Sequence, residues 1–154
     1  MTRLLFVCLG NICRSPAAEG VMRAKAGAAG LAVEIDSAGT GGWHSGEPPD
    51  RRMTAAAARR GVDLSGLRAR QARPSDFSRF DLILAMDRGN FADLSRLRPP
   101  GAPARLELML DQTDGPRGRE VPDPYYGGPD GFERVLDMLE EAADGLVDRL
   151  RRGL

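Results

Sequence analysis

A short apolar run, Leu4-Leu5-Phe6-Val7, stops abruptly at Cys8-Leu9-Gly10-Asn11-Ile12-Cys13-Arg14-Ser15-Pro16, and an Ala-rich stretch follows to about Ala29. Four apolar residues in a row suit a strand buried on both faces, as in a parallel sheet. Pro16 suits the first turn of a helix, where its missing N–H leaves nothing unpaired. A buried strand that passes through a glycine-bearing loop into a helix is the front half of a βαβ unit. Such units demand a sheet covered by helices.

The rest of the chain keeps the alternation. Val33 to Ala38 reads as a second strand, and Gly39 to Pro49 as a glycine-rich loop. Asp50 can cap a helix to Arg60, which Gly61 can end. Asp81 to Met86 reads as a third strand, with Asp87 capping a helix to about Leu97. Pro99-Pro100-Gly101 breaks the chain, and Leu106 to Leu110 reads as a fourth strand. Asp111 to Gly128 is a long polar loop of the kind that usually carries function. From Pro129 a last helix sets Phe132, Val135, Leu136, Leu139, Ala143, Leu146, Val147 and Leu150 on one side. The expected architecture is α/β: three layers, with a four-stranded parallel sheet between helices. The span 1–154 is expected to form a single domain. Ligands of such sheets bind beyond the carboxyl ends of the strands, which directs attention to the loop after the first strand.

Bulk properties exclude several roles. With 42% hydrophobic residues the 154-residue chain can bury a core without disulfides or metal. Its 22 basic and 22 acidic side chains cancel, so a nucleic-acid or anionic-membrane role has no global charge behind it. No stretch is apolar for long enough to span a bilayer, and Met1 to Val7 is too short for a signal peptide. A cytoplasmic protein is expected. Cys8 and Cys13 are the only cysteines. They are too few for a disulfide framework, and their spacing lacks the second ligand pair of a structural zinc site. No metal and no cofactor is expected.

The first loop is suited to a tetrahedral oxyanion. Glycine lets the backbone curl so that successive N–H groups of Leu9 to Ser15 face inward. The helix start adds unpaired N–H groups and partial positive charge. Arg14 offers a planar fork for two phosphate oxygens. The same surroundings, with the Ser15 hydroxyl, favour a thiolate at Cys8, and the thiolate is the reactive form. Cys8 alone would read as a small buried hydrophobe. Combined with Gly10, Arg14 and the helix start, it reads as a nucleophile.

The segment Cys8 to Pro16 resembles the signature of the low-molecular-weight protein tyrosine phosphatases. The resemblance extends over the chain through Asp36-Ser37-Ala38-Gly39-Thr40, Ala85-Met86-Asp87 with Asn90, and Asp123-Pro124-Tyr125-Tyr126-Gly127. It implies hydrolysis of phosphotyrosine and aryl phosphates through a cysteinyl-phosphate. Cys8 would be the nucleophile, Arg14 the phosphate clamp and Asp123 the general acid, then base. Without the family, Asp123 is one loop acid among several, in an Asp-Pro pair that often only starts a turn. Leu9, Trp43, Tyr125 and Tyr126 would surround the pocket mouth as walls for a phenyl ring. Asn11, Ser15 and Ser37 would support the loop, Asn11 in left-handed geometry. The resemblance also implies reversible Cys8–Cys13 disulfide formation under oxidation. One departure stands out: many relatives carry His just before the segment matching Arg68-Ala69-Arg70-Gln71, and this chain has Leu67. His44, the sole histidine, reads as a surface loop residue. The implied partner is a phosphotyrosine protein, a tyrosine kinase among the candidates, and the implied state a monomer or weak dimer.

Three alternatives compete. An arsenate reductase on this fold needs cysteines beyond Cys13 to relay a disulfide, and there are none. A protein-arginine phosphatase of the superfamily has a small polar residue where Ile12 stands and one aromatic after Asp-Pro. A non-catalytic phosphate-binding module would have lost Cys8, Arg14 or Asp123. Ile12 and the Tyr125-Tyr126 pair favour a phenolic substrate.

Overall fold

The computed structural model describes residues 1–125 and 127–154. The strands are β1 (Thr2–Cys8), β2 (Val33–Gly39), β3 (Leu82–Ala85) and β4 (Arg105–Leu108). The helices are α1 (Arg14–Ala28), α2 (Arg51–Ala58), α3 (Asp76–Arg79), α4 (Arg88–Leu97) and α5 (Pro129–Arg151). The sheet runs β2-β1-β3-β4 with every pair parallel, as the alternating pattern predicts.

Side-chain alternation divides the core. Leu4, Phe6, Leu82 and Leu84 face one side and pack with α1, α2 and α5, whose contributors include Met22, Met53, Val135 and Leu139. Leu5, Val7, Ile83 and Ala85 face the other side against Phe77, Phe80 and Leu94. The predicted apolar side of α5 is the buried one. β1 lies between β2 and β3, so the chain leaves β1 toward one neighbour and later returns on its other flank. The carboxyl ends of β1 and β3 therefore flank a switch point, where an α/β sheet opens a crevice.

Two elements differ from the expectation. The fourth strand stops at Leu108, and Met109–Gln112 form a 3-10 turn. Met109 and Leu110 are adjacent, yet both are buried in the same core cluster. A strand sends neighbours to opposite faces, so only a helical turn satisfies both. The four-residue α3 gave no periodic signal. It exists because Phe77 and Phe80 fill the second face, and because Asp76 Oδ2 accepts the Arg73 N–H at 2.8 Å.

Asp50 caps α2 as predicted, accepting the Arg52 and Met53 N–H groups at 2.8 and 3.3 Å. Burial opposes its charge, but Arg52 and these amides hold its carboxyl below the ordinary range. Its contribution is therefore present above the ordinary carboxylate range and lost as pH falls through the lowered value. Asp50→Ala should cost about 1 kcal/mol in urea unfolding at neutral pH, and less in acid.

Candidate active site

The loop after β1 turns its carbonyls outward. The Cys8 and Leu9 carbonyls accept from Thr40 and Gly41 N–H, both at 2.9 Å, and the Ile12 carbonyl from Asp50 N–H at 2.8 Å. In a trans peptide the next N–H points away from its carbonyl. The Leu9, Gly10 and Cys13 N–H groups therefore turn toward the loop's interior, the arrangement of an anion nest. The left-handed residue is Asn11, with φ 57, as predicted; Gly10 stays out of that region. Gly39 permits the close approach of loop and β2, because a Cβ there would sit 2.8 Å from the Leu9 carbonyl oxygen.

Cys8 lies at the end of β1, 3% exposed, with its sulfur 3.0 Å from Ser15 Oγ and 3.3 Å from the Asn11 N–H. Asn11 carries the loop's support. Its Oδ1 accepts the Arg70 backbone N–H at 3.0 Å, while its Nδ2 donates to Ser15 Oγ at 2.8 Å and Ser37 Oγ at 3.0 Å. Asn11, Ser15 and Ser37 are thus brought together. Leu67 packs against the apolar core. Ser37 is held by Glu19, to whose Oε1 its hydroxyl donates at 2.8 Å.

Arg14 opens α1 and is 2% exposed. Its Nη1 donates to Asp87 Oδ2 at 2.7 Å and to the Val121 carbonyl at 3.0 Å, and its Nη2 lies 3.6 Å from Asp123 Oδ2. Burial works against its charge, but Cys8, Asp87 and Asp123 more than offset this and keep the guanidinium protonated. Asp87 stands just past β3 and also caps α4 through the Asn90 N–H. Asp123 is partly exposed and accepts the Tyr125 N–H at 3.0 Å.

These groups line one cavity of about 440 Å³: Cys8, Leu9, Gly10, Ile12, Cys13, Arg14, Trp43, His44, Asp123 and Tyr125. Leu9 and Trp43 are among the exposed large hydrophobics, at 42% and 71%. The Trp43 ring rests on Gly41, where any Cβ would overlap it. His44 is a partly exposed loop residue, as expected, and it also lines the cavity. It packs on Gly10, where a Cβ would lie 3.0 Å from its Cδ2, and its Nδ1 pairs with Glu47 at 2.9 Å. Tyr126 lies outside the described residues. Cys8 and Cys13 are free thiols, and burial first, then the negative charges of Asp50, Cys8 and Asp123, pushes the Cys13 thiol up. Among the described residues no group of three His, Cys, Asp or Glu could hold a metal ion. No helix among them is long and apolar enough to cross a membrane.

The model of the low molecular weight phosphotyrosine protein phosphatase family matches residues 3–154. The chain belongs to this family. A low molecular weight protein-tyrosine-phosphatase of Streptomyces coelicolor is 50% identical over 154 residues, covering 97% of this chain and 93% of its own. A protein tyrosine phosphatase of Entamoeba histolytica, crystallised with Hepes in its active site, superposes with a TM-score of 0.94 at 42% identity, with 99% of each chain covered. A Drosophila arginine phosphatase superposes at 0.89 with 28% identity, over 98% of each chain.

Within this phosphatase family fold, sequence reasoning missed three site residues. Asp87 was legible as a cap but not as the partner of Arg14; its place just past a strand end was the available signal. Glu19 lies four residues after Ser15, on the same face of α1, and a lone acid on so apolar a face was the clue. His44 gave none, because only the tertiary structure lays its ring on Gly10.

Proposed function

We propose that this protein hydrolyses phosphotyrosine in proteins, and aryl phosphates, through a cysteinyl-phosphate on Cys8. One observation carries the reading: a buried sulfur held by an N–H and a hydroxyl shares its cavity with a buried arginine and a part-exposed carboxyl.

The Cys8 thiolate attacks phosphorus in line, forming the S–P bond as the P–O bond to the phenol breaks. Arg14 and the loop N–H groups stabilise charge on the equatorial oxygens. The electron pair leaves on the phenolic oxygen, which takes a proton from Asp123. Asp123 then removes a proton from water, which attacks phosphorus. The S–P bond breaks, returning the thiolate and inorganic phosphate. No cofactor enters these steps. Leu9, Ile12, Trp43 and Tyr125 offer aliphatic and aromatic surface to a phenyl ring, and Tyr126 is proposed as a further wall. The substrate class is a phosphotyrosine protein, a tyrosine kinase among the candidates.

The arginine-phosphatase reading differs at the leaving group. Phosphotyrosine and phosphoarginine peptides assayed side by side, with a chelator present, separate the two. Phosphotyrosine should be preferred by at least about tenfold in kcat/KM. Faster release from phosphoarginine would overturn the substrate assignment, and loss of all activity with the chelator would overturn the metal-free mechanism.

A further inference from the structure

A line of hydrogen bonds runs from the protein surface to the Cys8 sulfur, and its direction can be read without seeing a hydrogen. The Arg70 backbone N–H can only donate, so the Asn11 atom it meets at 3.0 Å is the oxygen. The Asn11 NH2 must then face Ser15 and Ser37, donating to both. At the far end the Glu19 carboxylate can only accept, so the Ser37 proton points at its Oε1. Ser37 therefore receives from Asn11 and gives to Glu19. Ser15 likewise receives from Asn11, which frees its one proton for the Cys8 sulfur at 3.0 Å; the competing acceptor, the Ala38 carbonyl, is at 3.3 Å.

Glu19 is 3% exposed. Burying a carboxylate costs free energy unless it is paired and fully bonded. Arg23, one turn on along α1, supplies the pairing at 2.7 Å and anchors itself on the Ile35 carbonyl at 2.6 Å. Glu19 is not among the residues that line the cavity. Its reach toward the sulfur is through Ser37 and Asn11.

We propose that Glu19, held by Arg23, is a positioning residue: by accepting the Ser37 proton it keeps Ser37 an acceptor for Asn11, and Asn11 so held keeps the Ser15 proton on the Cys8 thiolate. The relay builds on the reading of Cys8 as nucleophile and deepens it. Without an acceptor at position 19 the Ser37 hydroxyl turns, the Asn11 amide loosens, and Ser15 is released to the Ala38 carbonyl.

The sign of the effect separates a relay from a plain field. Glu19 is negative, so through space alone its removal would stabilise the thiolate. The relay demands the opposite. Among the described residues the cavity around Cys8 holds the charged Arg14 and Asp123 and the titratable Cys13 and His44, with Asp87 paired to Arg14, and beyond Asn11 stand Arg70, Asp36 and Asp76, which pair together. All stay in place in the variants.

The test follows thiolate ultraviolet absorbance through an acid titration of substrate-free enzyme, with Cys8→Ser as the blank. Glu19→Met should lose the signal about one pH unit sooner on acidification. Glu19→Gln should retain most of it, because an amide oxygen still accepts from Ser37. Ser37→Ala should reproduce the shift, and adding Glu19→Met to it should add nothing. A lowered Tm with an unmoved titration, or a shift toward a more persistent thiolate, overturns the relay. If Glu19→Met does not fold, Ser37→Ala decides alone, and an unmoved titration there overturns it. The readout needs no turnover, so the relay and the phosphatase reading fail separately. An unmoved titration leaves the nucleophile standing, and retained turnover in Cys8→Ser removes the nucleophile without touching the geometry of the relay.

Discussion

Cys8→Ser should abolish turnover of an aryl phosphate, by about 10⁴-fold or more, while the fold and the anion site survive. The two side chains differ by one atom, and the site is 3% exposed at a strand end, so packing changes little. The chemistry changes completely. A thiol is intrinsically far more acidic and nucleophilic than an alcohol, whose hydroxyl stays protonated and needs a base. The cavity's one histidine has its Nδ1 engaged with Glu47. Inorganic phosphate should still raise the Tm of Cys8→Ser, since Arg14 and the loop amides remain. Turnover above about one hundredth of wild type would place the nucleophile elsewhere.

Asp123→Ala is the second large effect, a loss of about 10²- to 10⁴-fold in kcat for a poor leaving group. Asp123 lines the same cavity as Cys8, its Oδ2 3.6 Å from Arg14 Nη2. In the proposed mechanism it protonates the oxygen that departs from phosphorus as Cys8 attacks. A phenolate that leaves easily needs no proton, and one that leaves reluctantly does. The dependence of kcat on leaving-group acidity should therefore steepen in Asp123→Ala across a series of substituted phenyl phosphates. An equal loss for every leaving group would show that Asp123 only shapes the pocket. Its Oδ1 contact to the Tyr125 N–H makes that the alternative to test.

Much of the fold was legible because its signals are local. Leu4 to Val7 and Leu82 to Leu84 are runs that only a doubly covered sheet can bury, and Asp50 and Asp87 announce their helices by capping chemistry. The misread elements, β4's end and α3, are those where packing overrode local pattern. Met109 and Leu110 needed one face at once, and Phe77 with Phe80 made a helix of four residues worthwhile.

The candidate site divides in the same way. By itself the sequence determined the loop from Cys8 to Ser15. A cysteine, a glycine, a cation and a helix start within one loop are local facts, and local facts survive in a string of letters. The tertiary structure alone decided that Asp87 and Val121 hold Arg14, that His44 lies on Gly10, and that Glu19 stands behind Ser37. Most of these contacts join residues far apart in the chain, and even the short span from Glu19 to Ser37 crosses from α1 to β2. They exist only because a parallel sheet brings the ends of its strands to one edge.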